Sequence, residues 1–217
     1  MLKLSSWSAR FAPLTDIDDV SGWVGPMTRN YLEDEDLDWR LHRGDLIVPE
    51  NVDQDLALVV DGNMIVHGFL DDYVSDIGLL VVLGDLVVHD LVSWGAVSVG
   101  GDLRAEGVVY AYYNDYTFEV GGKVHARALV LADKSGGYST GEVEAEIDSY
   151  MPTKKQYRAA RDIFVHQVYA DGEERAQKGK PPKLDRPSYH RVCSRLHGGE
   201  PLFKTPAPAH EAHTVKS

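Results

Sequence analysis

The chain has 217 residues, of which 43% are hydrophobic and 26% are charged. This composition provides enough apolar side chains for a folded core and excludes a wholly disordered chain. The uninterrupted apolar runs, such as residues 79–83, are about five residues long, far short of the roughly 20 that a membrane-spanning helix requires. The single cysteine, Cys193, excludes a disulfide framework or a thiolate zinc site within one chain.

Charge is distributed unevenly along the chain. Residues 1–150 contain 9 Lys+Arg and 27 Asp+Glu, a net charge of −18, whereas residues 151–217 contain 13 and 7, a net charge of +6. An acidic body repels phosphate groups and anionic membranes and attracts basic surfaces. We therefore expect a basic protein partner and neither a nucleic-acid nor a membrane partner. The first residues lack the apolar stretch of a secretion signal, which predicts a cytoplasmic location.

Residues 1–43 do not share the pattern of the residues that follow. They contain Trp7, Phe11, Trp23 and Trp39, and an acidic run at residues 33–38. This composition indicates an irregular or short helical start. A stacked repeat needs its open ends covered, so we predict that residues 1–43 form an N-terminal cap.

A short pattern recurs six times after residue 43. Each copy has a glycine, a polar residue, an apolar residue, any residue, and then Val or Ala. The copies begin at Gly44, Gly62, Gly84, Gly101, Gly122 and Gly141. Their spacings of 18, 22, 17, 21 and 19 residues indicate one repeating unit with insertions of variable length.

Apolar residues recur at every second position around these glycines, which is the period of a β-strand. One unit cannot close a core, but stacked units bury a continuous apolar column. We therefore predict a mainly β fold, a right-handed parallel β-helix of about six irregular coils over residues 44–150. The glycine spacings are not multiples of six, which disfavours a left-handed hexapeptide helix, and no Asn or Cys ladder indicates a leucine-rich repeat.

The composition becomes helical after Pro152. Residues 154–178 predict a helix that ends at Gly179, and residues 184–196 predict a second one that ends at Gly198 and Gly199. We expect residues 151–204 to form a helical C-terminal cap and residues 205–217 to be a disordered tail.

Outward residues of successive coils are expected to form parallel rows. In one row two imidazoles beside a carboxylate could hold a divalent metal; the row consists of His67, His89, Glu106, Arg127 and Glu146. Because coil lengths vary and the row continues into a cation, we interpret it as a solvated face and predict neither a metal nor a cofactor. A second row mixes charges and is interpreted as surface; it consists of Asn63, Asp85, Asp102, Lys123 and Glu142.

Two further motifs are compatible with nucleophilic chemistry. Residues 137–141 read G-x-S-x-G, which forms a nucleophile elbow only between a strand and a helix of an α/β sheet. Here the last glycine begins the sixth repeat, and a structural need for glycine explains it. Cys193 lies near His190 and His197, but a cysteine on a helix face usually packs in the core. We predict no catalytic residues and no enzyme activity.

Tyrosines beside carboxylates are typical of protein interfaces, because tyrosine gives a large contact area at a low entropic cost. Such residues occur in two stretches, and alternate tyrosines could instead fill the coil interior. Our candidate partner-binding residues are Asp71, Asp72, Tyr73, Asp76, Tyr110, Tyr112, Tyr113, Asp115 and Tyr116.

The segments LVVLGDLVVHDLV, VSVGGDLRAEGVVYAYYND and FEVGGKVHARALVL resemble the bacterial polymer-forming, or bactofilin-like, repeat proteins. The resemblance covers about residues 44–147 and implies a right-handed β-helix. Bactofilins assemble end to end through open coils, whereas this chain has apolar flanks at both termini. Short acidic proteins with this repeat also resemble immunity proteins of bacterial toxin systems.

These observations lead to one main functional hypothesis. The acidic body, the rigid repeat and the resemblance together favour an immunity protein that neutralises a basic toxin, such as a nuclease, by direct binding. A bactofilin-like self-assembling structural protein is the alternative, and a homodimer is compatible with either.

Overall fold

The computed structural model describes residues 1–15, 24–32, 38–72, 79–112, 116–132, 137–148, 154–183 and 186–204. The chain divides into two compact units, Met1–Gln156 and Tyr157–Ser217, which are described separately. The predicted disordered tail, residues 205–217, lies outside the described residues. Among the described residues, no helix is long and apolar enough to cross a membrane.

The first unit begins with a short irregular segment. It contains β1 (Leu2–Lys3), a 3-10 helix (Leu4–Arg10), β2 (Ala12–Pro13) and α1 (Pro26–Leu32). A parallel β-solenoid follows, so the predicted mainly β, stacked fold is confirmed. The handedness of the solenoid stays a prediction.

Each solenoid layer contributes one strand to each of three sheets. Sheet 1 consists of β3 (Trp39–Arg43), β6 (Ala57–Asp61), β9 (Leu79–Val82), β12 (Ala96–Val99), β15 (Phe118–Val120) and β17 (Tyr138–Thr140). Sheet 2 consists of β4 (Leu46–Val48), β7 (Met64–Val66), β10 (Leu86–Val88), β13 (Leu103–Ala105) and the first halves of β16 (Val124–Ala132) and β18 (Val143–Asp148). Sheet 3 consists of β5 (Val52–Asp53), β8 (Phe69–Asp71), β11 (Asp90–Ser93), β14 (Val108–Tyr112) and the second halves of β16 and β18.

The core follows directly from the period of two. In sheet 2 the first apolar residue of each repeat stacks on its equivalent in the next layer, in the order Leu46, Met64, Leu86, Leu103, Val124 and Val143. Except for the half-buried Val143 at the end, these side chains are buried inside the solenoid together with alternate residues of sheets 1 and 3. Apolar burial along this continuous column is the main stabilising contribution to the fold.

The repeating glycine is required by close stacking of the layers. A Cβ on Gly101 would lie 2.1 Å from Oδ1 of Asp85 and 3.0 Å from the backbone of Gly84. Gly122 is similarly close to Asp102 and to the carbonyl oxygen of Gly101. Any larger residue would push adjacent layers apart at the corner between sheets 1 and 2.

The connections between sheets differ in length. Those from sheet 1 to sheet 2 have two or three residues, and those from sheet 2 to sheet 3 have at most three. Those from sheet 3 to sheet 1 range from two residues, between β11 and β12, to seven, between β8 and β9. The irregular spacing of the glycines arises mainly at this third corner.

The N-terminal segment lies against the first layer. β1 pairs in parallel with β5, and β2 pairs antiparallel with β3. The outer edges of sheets 3 and 1 are therefore covered by strands, which limits unwanted edge pairing. Among the described residues, β4 has a strand partner on one side only, namely β7.

The second unit contains helices, but the single helix predicted over residues 154–178 is wrong. This region contains α2 (Lys154–Ile163), which starts in the first unit, a 3-10 helix (His166–Val168) and α3 (Gly172–Gln177). The break occurs because the backbone after α2 pairs with the end of the described chain: Val165 N–H donates to Leu202 O, and Lys204 N–H donates to Ile163 O. The helix predicted over residues 184–196 is α4 (Tyr189–His197). Gly179 and Gly199, at φ of +63° and +66°, follow α3 and α4, as is common after helix ends.

Candidate interaction surface

The predicted partner-binding residues do not form one exposed face in the described part of the chain. Tyr73, Asp76, Tyr113 and Asp115 lie outside the described residues. Asp71 and Tyr110 belong to β8 and β14 of sheet 3, and each is only 1% exposed. The expectation of an exposed position is therefore corrected for these two side chains, because both are buried.

Asp72 is also corrected, because it is a buried structural acceptor at the third corner. Its carboxylate accepts hydrogen bonds from the Ser93 hydroxyl at 2.7 Å, from Gly95 N–H at 3.1 Å, and from Trp94 N–H. Ser93 ends β11 of the next layer, and Trp94 and Gly95 form the two-residue connection from β11 to β12. Asp72 thus fixes the turn above it, and its side chain is not available at the surface.

The last two predicted tyrosines are half-buried and take part in packing. The ring of Tyr112 lies 4.9 Å from the ring of Trp94. Tyr116 packs against the apolar cluster on the outer side of sheet 1. Only part of either side chain is exposed to solvent, and their role in partner binding stays a prediction.

The outer side of sheet 1 is covered by the chain itself. Residues 24–28 cross it, and the buried Glu119 of β15 holds them: its carboxylate accepts from Met27 N–H at 3.2 Å and from Thr28 N–H at 2.7 Å. A Cβ on Gly25 would lie 2.2 Å from this carboxylate, so the glycine permits the contact. Beside this contact lies a buried apolar cluster consisting of Val24, Trp39, Leu41, Ala57, Val59, Leu79, Val81 and Ala96.

Sheet 2 differs from sheets 1 and 3 because many of its outward residues are exposed. Its middle column, in register through six layers, consists of Ile47, Ile65, Val87, Arg104, His125 and Glu144. The first half of the column is apolar and the second half is polar. Ile47 is 56% exposed and Ile65 and Val87 are half-buried, so an apolar stripe reaches solvent on the first three layers.

The corner between sheets 1 and 2 carries a ladder of side-chain acceptors, where the sequence predicts only a row of surface residues. Each Oδ1 accepts the backbone N–H of the equivalent residue in the next layer at 2.8 Å. The acceptors of this Asx ladder are Asp45, Asn63, Asp85 and Asp102, and the last donor is Lys123. The ladder fixes these side chains in a column beside the apolar stripe. Four of the six repeats have Asp or Asn after the glycine, and this preference was the available signal.

The opposite flank of the stripe carries the predicted histidine row. His67 and His89 are both exposed, and Nδ1 of His89 lies 2.6 Å from Oδ2 of Asp90. The hydrogen bond to Asp90 raises the pKa of His89, and the nearby charge of Glu106 adds to the rise against the lowering effect of burial. Within the described chain, the ligand atoms of His67, His89 and Glu106 do not all lie within 4.8 Å of one another. The row therefore does not have the geometry of a metal site.

The last two layers of sheet 2 are built from ion pairs. Lys123 Nζ lies 2.7 Å from Glu142, His125 Nδ1 lies 2.9 Å from Glu144, and Arg127 Nε lies 3.2 Å from Glu146. The hydrogen bond with Lys123 lowers the pKa of Glu142, and the same contact raises the pKa of Lys123. Lys123 and Arg127 thus form ion pairs with Glu142 and Glu146 of the same chain, and the His125 ring contacts Glu144.

The two motifs with nucleophilic residues have ordinary surroundings. Ser139 of the G-x-S-x-G string lies in β17, and the strand β18 follows it rather than a helix. Cys193 is buried in α4. Neither residue is placed at the strand-to-helix turn that a nucleophile elbow requires.

Comparison with known proteins assigns no family. No protein-family model matches the chain, and no solved structure matches it. The chain is similar to the uncharacterized protein YdbD of Escherichia coli (strain K12), with 32% identity over 78 residues. The match covers 35% of this chain and 10% of YdbD, so the chain spans about a tenth of the length of the curated relative it matches.

Proposed function

We propose that this protein is a binding protein for a basic protein partner, and that it acts as an immunity protein that neutralises a basic bacterial toxin. The toxin is expected to be cationic, as nucleases often are, and to act where this chain resides, in the cytoplasm. The proposal assigns no catalytic step to the chain.

The main support is the outer surface of sheet 2 on a body of net charge −18. This sheet presents an apolar stripe beside Asp45 and Asp85, whose side chains are held in place by the Asx ladder. Fixed carboxylates lose little conformational freedom when a cation approaches, and the net charge speeds the encounter with a basic protein. A rigid parallel sheet is also suited to binding without rearrangement.

Self-assembly is the second candidate, and one observation favours it. β4 has a single strand partner among the described residues, and an uncovered edge is a site for pairing with another chain. However, β1 and β2 occupy the corresponding edges of sheets 3 and 1, and β4 has only three residues before Pro49. This arrangement leaves little edge for a second solenoid to continue.

The test is co-expression with toxins encoded next to the gene for this chain. We expect one of them to arrest growth alone and to be harmless in the presence of this protein. Calorimetry with the purified pair should give a dissociation constant that rises at least about tenfold between 50 and 300 mM salt, since charge steers the binding. Protection without a direct complex, or a salt-independent affinity, would contradict the proposal.

Light scattering separates the two candidates. A discrete monomer or dimer at high protein concentration eliminates the filament, whereas a mass that grows with concentration favours it.

A further inference from the structure

The first three layers of sheet 2 combine features that sheets 1 and 3 do not show together. Ile47, Ile65 and Val87 form an apolar stripe that reaches solvent. Asp45 and Asp85 flank it on one side and His67 and His89 on the other. We call these seven residues the stripe patch.

Asp45 and Asp85 give the stripe patch its negative charge. Among the described outward residues of these three layers on sheet 2, none is Lys or Arg. The first cation of the middle column, Arg104, lies in the fourth layer and is paired with Asp102 at 2.5 Å. A partner that covers the stripe and brings cations to the Asx ladder would therefore satisfy both apolar and charged groups.

The dimensions of the patch favour a helix. Adjacent layers of a parallel solenoid are about 4.8 Å apart, so the stripe is about 10 Å long. Residues i and i+7 of an α-helix are also about 10 Å apart, and i, i+4 and i+7 lie on one face. A helix parallel to the solenoid axis would match the three apolar residues, and long Lys or Arg side chains on one flank would reach the Asp column.

The same chain already covers a solenoid sheet with a crossing segment. Residues 24–28, where α1 begins, lie on the outer side of sheet 1, whose apolar cluster is buried. The stripe patch is smaller and less apolar than that cluster, as expected for a surface that is covered only when a partner binds.

We propose that the stripe patch is the docking site for an amphipathic helix of the partner, with apolar residues at i, i+4 and i+7 and lysines or arginines along one flank. This inference deepens the proposed function and rests on it for the identity of the partner. The occupant is a helix on another protein. The stripe patch is the central contact of a larger interface, because three layers of one sheet are smaller than a whole protein interface.

The test uses a defined probe instead of the toxin. The probe is a 14-residue capped helical peptide with leucines at i, i+4 and i+7 and lysines on one flank. Its control has glutamine at the leucine positions, which preserves charge and helix propensity. With the isotope-labelled full chain, we expect the leucine peptide to shift the amide resonances around Ile47, Ile65 and Val87, and to bind at least about tenfold more tightly than the control.

Substitutions then test whether the leucine peptide binds at the stripe patch or is attracted only by the negative charge of the chain. Ile47→Ser, Ile65→Ser and Val87→Ser together should weaken the leucine peptide about tenfold and leave the control peptide unchanged. Ile47→Ser alone, at a largely exposed position, should weaken it about threefold and provides the test if the triple variant does not fold. Glu144→Gln, in the same column but on the last layer, should change binding less than twofold.

Equal binding of both peptides would overturn the proposed docking site. Amide resonance shifts spread over all surface carboxylates would also overturn it. A concentration-dependent dimer that Ile47→Ser abolishes would also overturn it, because the occupant would then be a second copy of the chain. The proposed function has its own readout in the growth test. Failure there with retained peptide binding would reject the immunity role and not the patch.

Discussion

The corner between sheets 1 and 2 is built in two different ways along the solenoid. In the first four layers Asp45, Asn63, Asp85 and Asp102 accept hydrogen bonds from backbone N–H groups of the next layer. In the last two layers Lys123 cannot accept such a bond, and it forms an ion pair with Glu142 instead. The first arrangement joins a side chain to the backbone of the next layer, and the second joins two exposed side chains.

The difference shows how one chain uses carboxylates for two purposes. A carboxylate that accepts a backbone N–H fixes the spacing of layers and keeps its negative charge for the surface. When a carboxylate is paired with lysine, the positive charge cancels most of its attraction for other cations. Such a pair contributes little stability when it is exposed. The acidic surface available to a partner is therefore concentrated on the first three layers, at Asp45 and Asp85, because Asp102 is paired with Arg104.

The largest effect is expected where the acceptor is fully buried. Asp72→Ala removes the partner of Trp94 N–H, Gly95 N–H and the Ser93 hydroxyl and leaves these donors in a buried corner. We expect the free energy of unfolding, measured by urea denaturation, to fall by about 3 kcal/mol. Asp38→Ala, at an exposed site, is the control and should have little effect. Equal losses for both variants would show that the buried acceptor has no special role.

An intermediate effect is expected within the Asx ladder. Asp85→Ala removes the acceptor of Asp102 N–H, and we expect the free energy of unfolding to fall by about 1 kcal/mol. Asp85→Asn retains an acceptor oxygen and should recover most of this loss. The loss should be nearly the same at low and high salt, whereas the smaller effect of Glu144→Ala should decrease with salt. A strongly salt-dependent loss for Asp85→Ala would contradict the role of the backbone link.

A smaller effect of opposite sign is expected where the Asx ladder stops. Lys123→Asn supplies an acceptor for the next layer and removes the exposed pair with Glu142. We expect a slightly higher midpoint temperature in a thermal melt, with the gain larger at high salt, where the lost ion pair matters least. Lys123→Ala removes the pair without adding an acceptor and should show no gain. A gain in both variants would mean that removal of lysine is sufficient.

The smallest effect is expected for His89, whose neighbour Asp90 contacts the His89 ring and also accepts a backbone hydrogen bond from the next layer. Oδ1 of Asp90 accepts from Val108 N–H at 2.7 Å, and Oδ2 contacts the His89 ring. Because the pKa of His89 is raised above its ordinary value of 6.5, its contribution to stability is present below that value and is lost as pH rises through the raised pKa. Asp90→Asn retains an acceptor for Val108 and should lower the pKa of His89, as measured by an NMR titration of the ring.

Glu106→Gln is the matched control for this titration. Its charge is the weakest of the causes that raise the pKa of His89, and its carboxylate lies 3.8 Å from Nε2. We therefore expect a smaller decrease than with Asp90→Asn. A larger decrease with Glu106→Gln would assign the raised pKa to the wrong neighbour.

The solenoid could be predicted from the sequence because its signals are local and repeated. The period of two and the glycine at each copy determine which residues are buried, as the stacked column from Leu46 to Val143 confirms. The Asx ladder does not follow from the charge of the residue after each glycine. Its role depends on an N–H group about 20 residues away in sequence.

The remaining differences have the same physical origin. Asp72 and Tyr110 have the composition of an interface, but their burial depends on neighbours in other layers or elements. The break after α2 depends on pairing with residues about 40 positions later. The sequence does not predict the stripe patch, because Ile47, Ile65 and Val87 are each ordinary strand residues. Only the register between strands places them in one column.

The uneven third corner has a consequence for how such a chain can change over time. Between sheets 3 and 1 the connection varies from two to seven residues while the stacking register on both sides is kept. Insertions and deletions are therefore tolerated most at this corner of the solenoid, whereas the connections at each of the other two corners have at most three residues. Loops at this corner can therefore vary in length and sequence while the stacked strands keep their register.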